Sequence, residues 1–247
     1  MSIATTELIL YGSAVMPDDD STSNIGGAID TAKKIVFSDI TPAGTVEMVS
    51  SSGSDTTQTV TIYGRNAAGE LISEVKTVAG VGVVAFTLTW ERIQKVVMSA
   101  TAVGTITIRK AGAGGDLITM APGITQVRVP FYNAAIPLTG TTDYYEKMFY
   151  KNTNETLTLT LAVVKEYADP LGKITFGLAA TLNDTATTTN RLTAPSTIVF
   201  DSADKNVVNS QNLTAGAAQG VWLKFSPVSS DSPAKSTYTL EITGQST

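Results

Sequence analysis

The side chains that could do chemistry in this chain of 247 residues are carboxylates, because it carries 22 Asp and Glu but no histidine and no cysteine. Without an imidazole or a thiol, the commonest general base and the commonest soft nucleophile or metal ligand are missing. What remains is the two-carboxylate chemistry of glycoside hydrolysis, in which one acid protonates and one base or nucleophile attacks. Asp143, Glu146, Glu166, Asp169 and Asp184 stand near expected strand ends, where solvated turn residues are the ordinary reading, and the sequence gives no pair among them a privilege. Asp18, Asp19 and Asp20, followed by Ser21 and Ser23, offer hard oxygens of the kind Ca²⁺ takes. Consecutive carboxylates do not converge on one ion, however, and the alternating D-x-D-x-D-G ligand spacing is absent. Gly112, Gly114 and Gly115 follow a predicted strand like a phosphate-cradling loop, but a strand at Asp116–Met120, not a helix, is expected next. Trp90 and Trp222 could stack on sugars, yet with one in each half a core role is favoured, and Trp222 is expected to stay partly open towards a neighbour. No catalytic residue, cofactor-binding residue or metal ligand is therefore expected, and the chain is read as not being an enzyme.

Charge narrows the partners. The formal net charge is −5, and the 17 Lys and Arg are scattered, whereas phosphate binding needs clustered cations. No nucleic-acid partner is expected. The N-terminus has no basic region before its short apolar run, Leu8 to Tyr11, and no apolar stretch approaches 18 residues. Neither a secretory signal nor a membrane span is expected, and the Asn154-Glu-Thr and Asn212-Leu-Thr sequons are read as chance matches.

The elements that would have to position these groups read as strands. Charged residues are only 16% of the chain, so its polar surface must come from Thr, Ser, Asn and Gln, and β-branched Thr suits the solvated face of a sheet. Thr57–Tyr63 alternates Val60 and Ile62 against Thr59 and Thr61, and a four-residue turn, Asn66 to Gly69, leads to Leu71–Val78 as a hairpin partner. Further strands are expected at Thr45–Val49, Val83–Trp90, Arg92–Ala100, Gly104–Lys110, Gln126–Tyr132, Tyr144–Lys151, Thr156–Lys165, Lys173–Ala180, Thr197–Phe200, Gly220–Phe225 and Lys235–Thr243, while Ala28–Phe37 reads as a helical turn or an edge strand. Short strands at this spacing indicate sandwiches. The predicted fold is all-β, with two β-sandwich domains (Ig-like or jelly-roll-like) in tandem. Small residues over 133–142 mark the junction, which places an N-terminal domain with an extended arm at 1–138 and a C-terminal domain at 139–247.

The wording of several strands and turns adds a resemblance. Thr59-Val-Thr-Ile-Tyr-Gly-Arg-Asn-Ala-Ala-Gly-Glu, Trp90-Glu-Arg-Ile and Gly104-Thr-Ile-Thr-Ile are similar to β-rich modules of tailed-bacteriophage virion proteins. Tyr145-Glu-Lys-Met-Phe-Tyr-Lys-Asn and Asn212-Leu-Thr-Ala-Gly-Ala-Ala-Gln-Gly-Val-Trp-Leu resemble a domain recurrent in such proteins. The resemblance implies a structural component of the virion, made in the host cytoplasm. It would bind the capsid surface as a decoration or cement protein, or the neck and tail, with the major capsid protein or neck and tail proteins as partners, and would be a homo-oligomer. The alternative is a glycan-binding module for host recognition, with Trp222, Tyr144 or Tyr145 stacking on sugar.

Overall fold

The computed structural model describes residues 2–232 and 236–246; Lys235, where the last strand is expected to begin, lies outside them. The described residues are nearly all β, with one short 3₁₀ turn at Thr5–Glu7 and a single helical turn at Val208–Gln211. They form two compact units. One is continuous, Thr31–Tyr132, and the other joins Met1–Asp30 to Asn133–Thr247. The sequence reading divides the chain once, at 138/139; the first thirty residues instead group with the C-terminal half.

The chain opens with β1 (Leu8–Val15) and β2 (Ile25–Lys34), the latter starting in the discontinuous unit and ending in the continuous one. The continuous unit then adds β3 (Val46–Ser50), β4 (Thr59–Arg65), β5 (Leu71–Thr77), β6 (Val84–Ala85), β7 (Arg92–Met98), β8 (Ile106–Lys110), β9 (Asp116–Met120) and β10 (Gln126–Arg128). The end of β2 pairs in parallel with β10, and β10, β7, β4 and β5 follow one another antiparallel. A second sheet has the order β6-β3-β8-β9. In β4 the period-2 pattern does what it promises: Val60 and Ile62 are fully buried, and Thr59 and Thr61, which alternate with them, are half-buried. Met48, Ile106, Ile108 and Ile118 of the second sheet are buried as well, and each such side chain is worth about 1.5–3 kcal/mol in transfer from water. The hairpin turn is built as its residues dictate. Asn66 Oδ1 accepts the N–H of Ala68 and of Glu70, both at 3.0 Å, and Gly69 takes φ 79°. At Gly64 the β4–β7 register slips by a bulge, and a Cβ there would run into the Arg92 carbonyl.

The discontinuous unit continues with β11 (Tyr144–Asn152), β12 (Leu159–Ala168), β13 (Ile174–Leu182), β14 (Thr187–Thr188), β15 (Lys205–Asn206), β16 (Ala218–Phe225) and β17 (Thr239–Ser246). Strands β13, β16, β11 and β1 are successive antiparallel neighbours, β14 pairs with the first residues of β2, and β15-β12-β17 form a three-stranded sheet. From Tyr144 to Tyr150 every residue of β11 is buried. A strand covered on both faces loses the alternation of a half-solvated one, which is how Glu146 and Lys147 come to lie among Tyr145, Met148 and Phe149. The Val208–Gln211 turn is left-handed, with φ between 56° and 64° at Asn209, Ser210 and Gln211, a conformation that costs roughly 1–2 kcal/mol per residue. Gln219 holds it: its Oε1 accepts the Val208 N–H at 3.1 Å, while its Nε2 donates to the carbonyls of Ala179 and Gly220.

Three local expectations change. Leu8–Tyr11, read only as a brief apolar run, begins β1. Thr197–Phe200 is not a strand, since Thr197 sits at φ 64° and the adjoining Asp201 makes only an isolated bridge to Phe176. Of Val83–Trp90 only Val84 and Ala85 form a strand, with Trp90 making an isolated bridge to Gly44.

Candidate functional site

Most of the ionisable groups that the sequence singles out are drawn into internal contacts of their own. Asp19 closes its own turn, its Oδ1 accepting the N–H of Ser21 at 2.9 Å and of Thr22 at 3.0 Å, and the Ser21 hydroxyl leads the contacts that hold its carboxyl below the usual range. Asp20 pairs instead with Arg191 at 2.5 Å. The buried Arg191 guanidinium also donates to the Asn133 carbonyl and lies over the Tyr144 ring. Adjacent carboxylates therefore diverge, as residues i and i+1 do in a turn.

The glycine loop after β8 is an anion cradle, and its anion belongs to the chain. Gly112 and Ala113, at φ 80° and 57°, both donate their N–H groups at 3.0 Å to the Glu47 carboxylate, which also takes Arg109 Nε at 2.8 Å. Those two N–H groups, with Arg109, hold the Glu47 carboxyl below its ordinary value. Successive N–H groups around a left-handed residue form the concavity that binds phosphates elsewhere; here β3 supplies a carboxylate to fill it.

Among the five candidate carboxylates, Asp143 binds Lys224 Nζ at 2.9 Å and the Ser226 hydroxyl at 2.7 Å. Burial pushes its carboxyl up, but these two partners outweigh it and the net shift is downward. Asp184 pairs with Lys147 at 2.6 Å. Asp169 accepts the Ile174 N–H at 2.8 Å across its own turn, and Glu146 is buried within β11. Burial first and the Asp169 charge second raise the Glu166 carboxyl.

Lys147 is a fully enclosed cation. Its ammonium has no exposed surface and donates to the carbonyls of Gly27, Asp184 and Ala186 and to the Asp184 carboxylate, over the faces of Phe149 and Trp222. Burial depresses its pKa, and Asp184 opposes that only in part. The residues round it fasten the Asp184–Ala186 turn to β2 and β11.

The core role favoured for both tryptophans is borne out, and the partial opening of Trp222 is not. Trp90 is fully buried and Trp222 is 1% exposed, packed with Ile25 and Tyr145, so Trp222 is not partly open as expected. The alternation within Val-Trp-Leu-Lys-Phe gave it a solvated face, but β16 lies between β13 and β11 and is covered on both sides. Tyr144 and Tyr145 are buried too, at 3% and 6% exposure. None of the three can offer a ring to a sugar.

Two surface features remain that the sequence does not announce. A shallow cavity of about 420 Å³ is lined by Ala180, Thr181, Leu182, Val208 and Asn209, with no charged side chain among them. In the continuous unit, β5 ends its sheet, and Leu71 and Val75 on it are 46% and 56% exposed. That β5 is a hairpin partner of β4 is legible in the sequence; that it has, among the described residues, only one neighbour is not. No family model, curated protein or solved structure matches the chain.

Proposed function

We propose that this chain is a structural component of a tailed-phage particle, acting through protein contacts at the capsid surface or at the neck and tail. The observation that carries the reading is where its charge goes. Asp19, Asp20, Glu47, Asp143 and Asp184 close turns or pair with Arg or Lys inside one unit, while the β5 edge, with Leu71, Ser73, Val75 and Thr77 exposed, is left outward. Carboxylates committed in this way fasten loops, and the outward surfaces are suited to binding another protein. The phage-like strand and turn wording supplies the particle context. The finer fold reading, two sandwiches, is supported by a small sheet in each unit, β6-β3-β8-β9 in one and β15-β12-β17 in the other, beside strands of the ten-stranded sheet, and by buried residues on both sets of strands of the continuous unit. Of the two placements, capsid decoration is favoured by a small acidic chain rich in Thr.

Particles purified from infected cells decide the matter. The chain is expected to co-purify with them, at a copy number on the order of hundreds for a decoration protein or about six or twelve for a neck ring. Its absence from intact particles would overturn the proposal.

A further inference from the structure

We infer that a second copy of this chain docks on the outer edge of β5, pairing antiparallel with its own counterpart about a two-fold axis through Val75. The inference rests on the reading that the chain works through protein contacts, and it names the surface and the partner.

The free edge follows from the hairpin register. Residues of β4 and β5 face each other from Thr59↔Thr77 to Arg65↔Leu71 without a shift. At the two ends of the ladder, Val78 N–H donates to Gln58 O and Asn66 N–H to Glu70 O. In an antiparallel ladder the bonded pairs alternate, so Ile72, Glu74 and Lys76 direct their backbone groups to β4. Leu71, Ser73, Val75 and Thr77 direct theirs outward, and among the described residues no strand pairs with that edge. All four side chains are exposed. Seven unbulged residues without proline are the kind of edge that soluble proteins usually block, commonly with an unpaired lysine. Lys76 does not serve as that block. Its Nζ lies 3.0 Å from the Glu74 carboxylate, which in turn is held by the N–H groups of Thr87 and Leu88.

Charge selects both the occupant and the register. With the axis at Val75, Ser73 meets Thr77 of the second copy, Val75 meets Val75, and Glu74 stands opposite Lys76 twice, once on each side of the axis. Cross-strand pairs of opposite charge are favourable and like pairs are not. Moving the axis by one residue to Glu74 sets Glu74 against Glu74, and moving it to Ser73 sets Glu74 against Ile72. The same surface is used by both copies, as an isologous interface requires, and the outward N–H and C=O groups of Ser73, Val75 and Thr77 are all matched.

The absence of cysteine makes crosslinking a direct test on the full chain in solution, with no particle present. In the proposed register the two Val75 Cα atoms lie about 5.5 Å apart, within disulfide range. Oxidised Val75→Cys is expected to run as a covalent dimer, whereas Val103→Cys, at a site 66% exposed elsewhere on the unit, stays monomeric. Sedimentation of the unmodified chain should show a reversible doubling of mass with concentration. The double variants Ser73→Lys/Thr77→Lys and Ser73→Glu/Thr77→Glu should each weaken association at least about tenfold, and an equimolar mixture of the two should restore it. Their circular dichroism checks that both remain folded, since all the altered side chains are exposed. A chain that stays monomeric, an association that neither double variant weakens, or crosslinking through Ser73→Cys but not Val75→Cys would overturn the inference. Those results would leave co-purification with particles untouched, so the two proposals fail separately.

Discussion

Replacing Lys147 by Met removes one ammonium and leaves four acceptors behind: three carbonyls, of Gly27, Asp184 and Ala186, and one oxygen of the Asp184 carboxylate, all within 2.6–3.1 Å of Nζ. A buried ion pair can often be exchanged for apolar residues without loss, but only when both partners go. Here three of the partners are backbone and cannot be removed. Breaking such a pair from one side costs about 3–5 kcal/mol, and Met fills much of the volume, so the loss is electrostatic and not a cavity. For a chain of this size each kcal/mol is worth about 2–4 °C in melting temperature, which gives roughly 6–20 °C. Asp184→Asn removes only the anionic partner and leaves the lysine its three carbonyls, so about 1–2 kcal/mol is expected there. Urea unfolding at neutral pH measures both. Hydrogen exchange at Thr187 and Thr188, which pair with Ile25 and Gly26, should accelerate more in Lys147→Met than in Asp184→Asn. A Lys147→Met protein within 1 kcal/mol of the parent, or less affected than Asp184→Asn, would refute the reasoning that the ammonium ties this turn down.

Further outcomes follow from single groups. Burial pushes the Glu74 carboxyl up, but the N–H groups of Leu88 and Thr87, together with Lys76, bring it down to about 2. A carboxyl depressed on folding contributes stability above its unfolded value of 4.5 and loses it as pH falls towards 2. The urea midpoint should therefore drop over that window more steeply in the parent than in Glu74→Gln. Tyr150 is raised by burial first and then by Glu241, and its hydroxyl donates to the Leu240 carbonyl at 2.8 Å. The folded state keeps that proton after the unfolded chain loses its own near pH 10, so stability falls as pH rises beyond 10, and Tyr150→Phe should flatten that fall in an alkaline titration followed by circular dichroism. Gly64→Ala drives a methyl into the Arg92 carbonyl at the β-bulge. It should cost more than about 2 kcal/mol by thermal melting, against a few tenths for Gly115→Ala, where a Cβ meets nothing.

The features legible in the sequence are local. Alternation at Thr59–Ile62 and the Asn66-to-Gly69 turn specify the β4–β5 hairpin, because a two-residue period and a side chain that bonds its own backbone act over a few residues. The all-β class follows from the same signals and from the scarcity of charge. Where alternation disappears the sequence misleads. Trp222, read as a core residue left partly open, is fully covered, and Tyr144 and Tyr145, offered for sugar stacking, are buried too, since β16 and β11 are flanked by strands far away in the chain and covered on both faces. Lys147 and Glu47 gave no sign in the sequence, for their partners lie 37 and 65 residues off. It is the pairing of distant segments that joins the first thirty residues to the last hundred and more and leaves β5, among the described residues, with one neighbour instead of two. Long-range pairing depends on which surfaces meet when the chain closes, a property of the whole fold that no short window of residues contains.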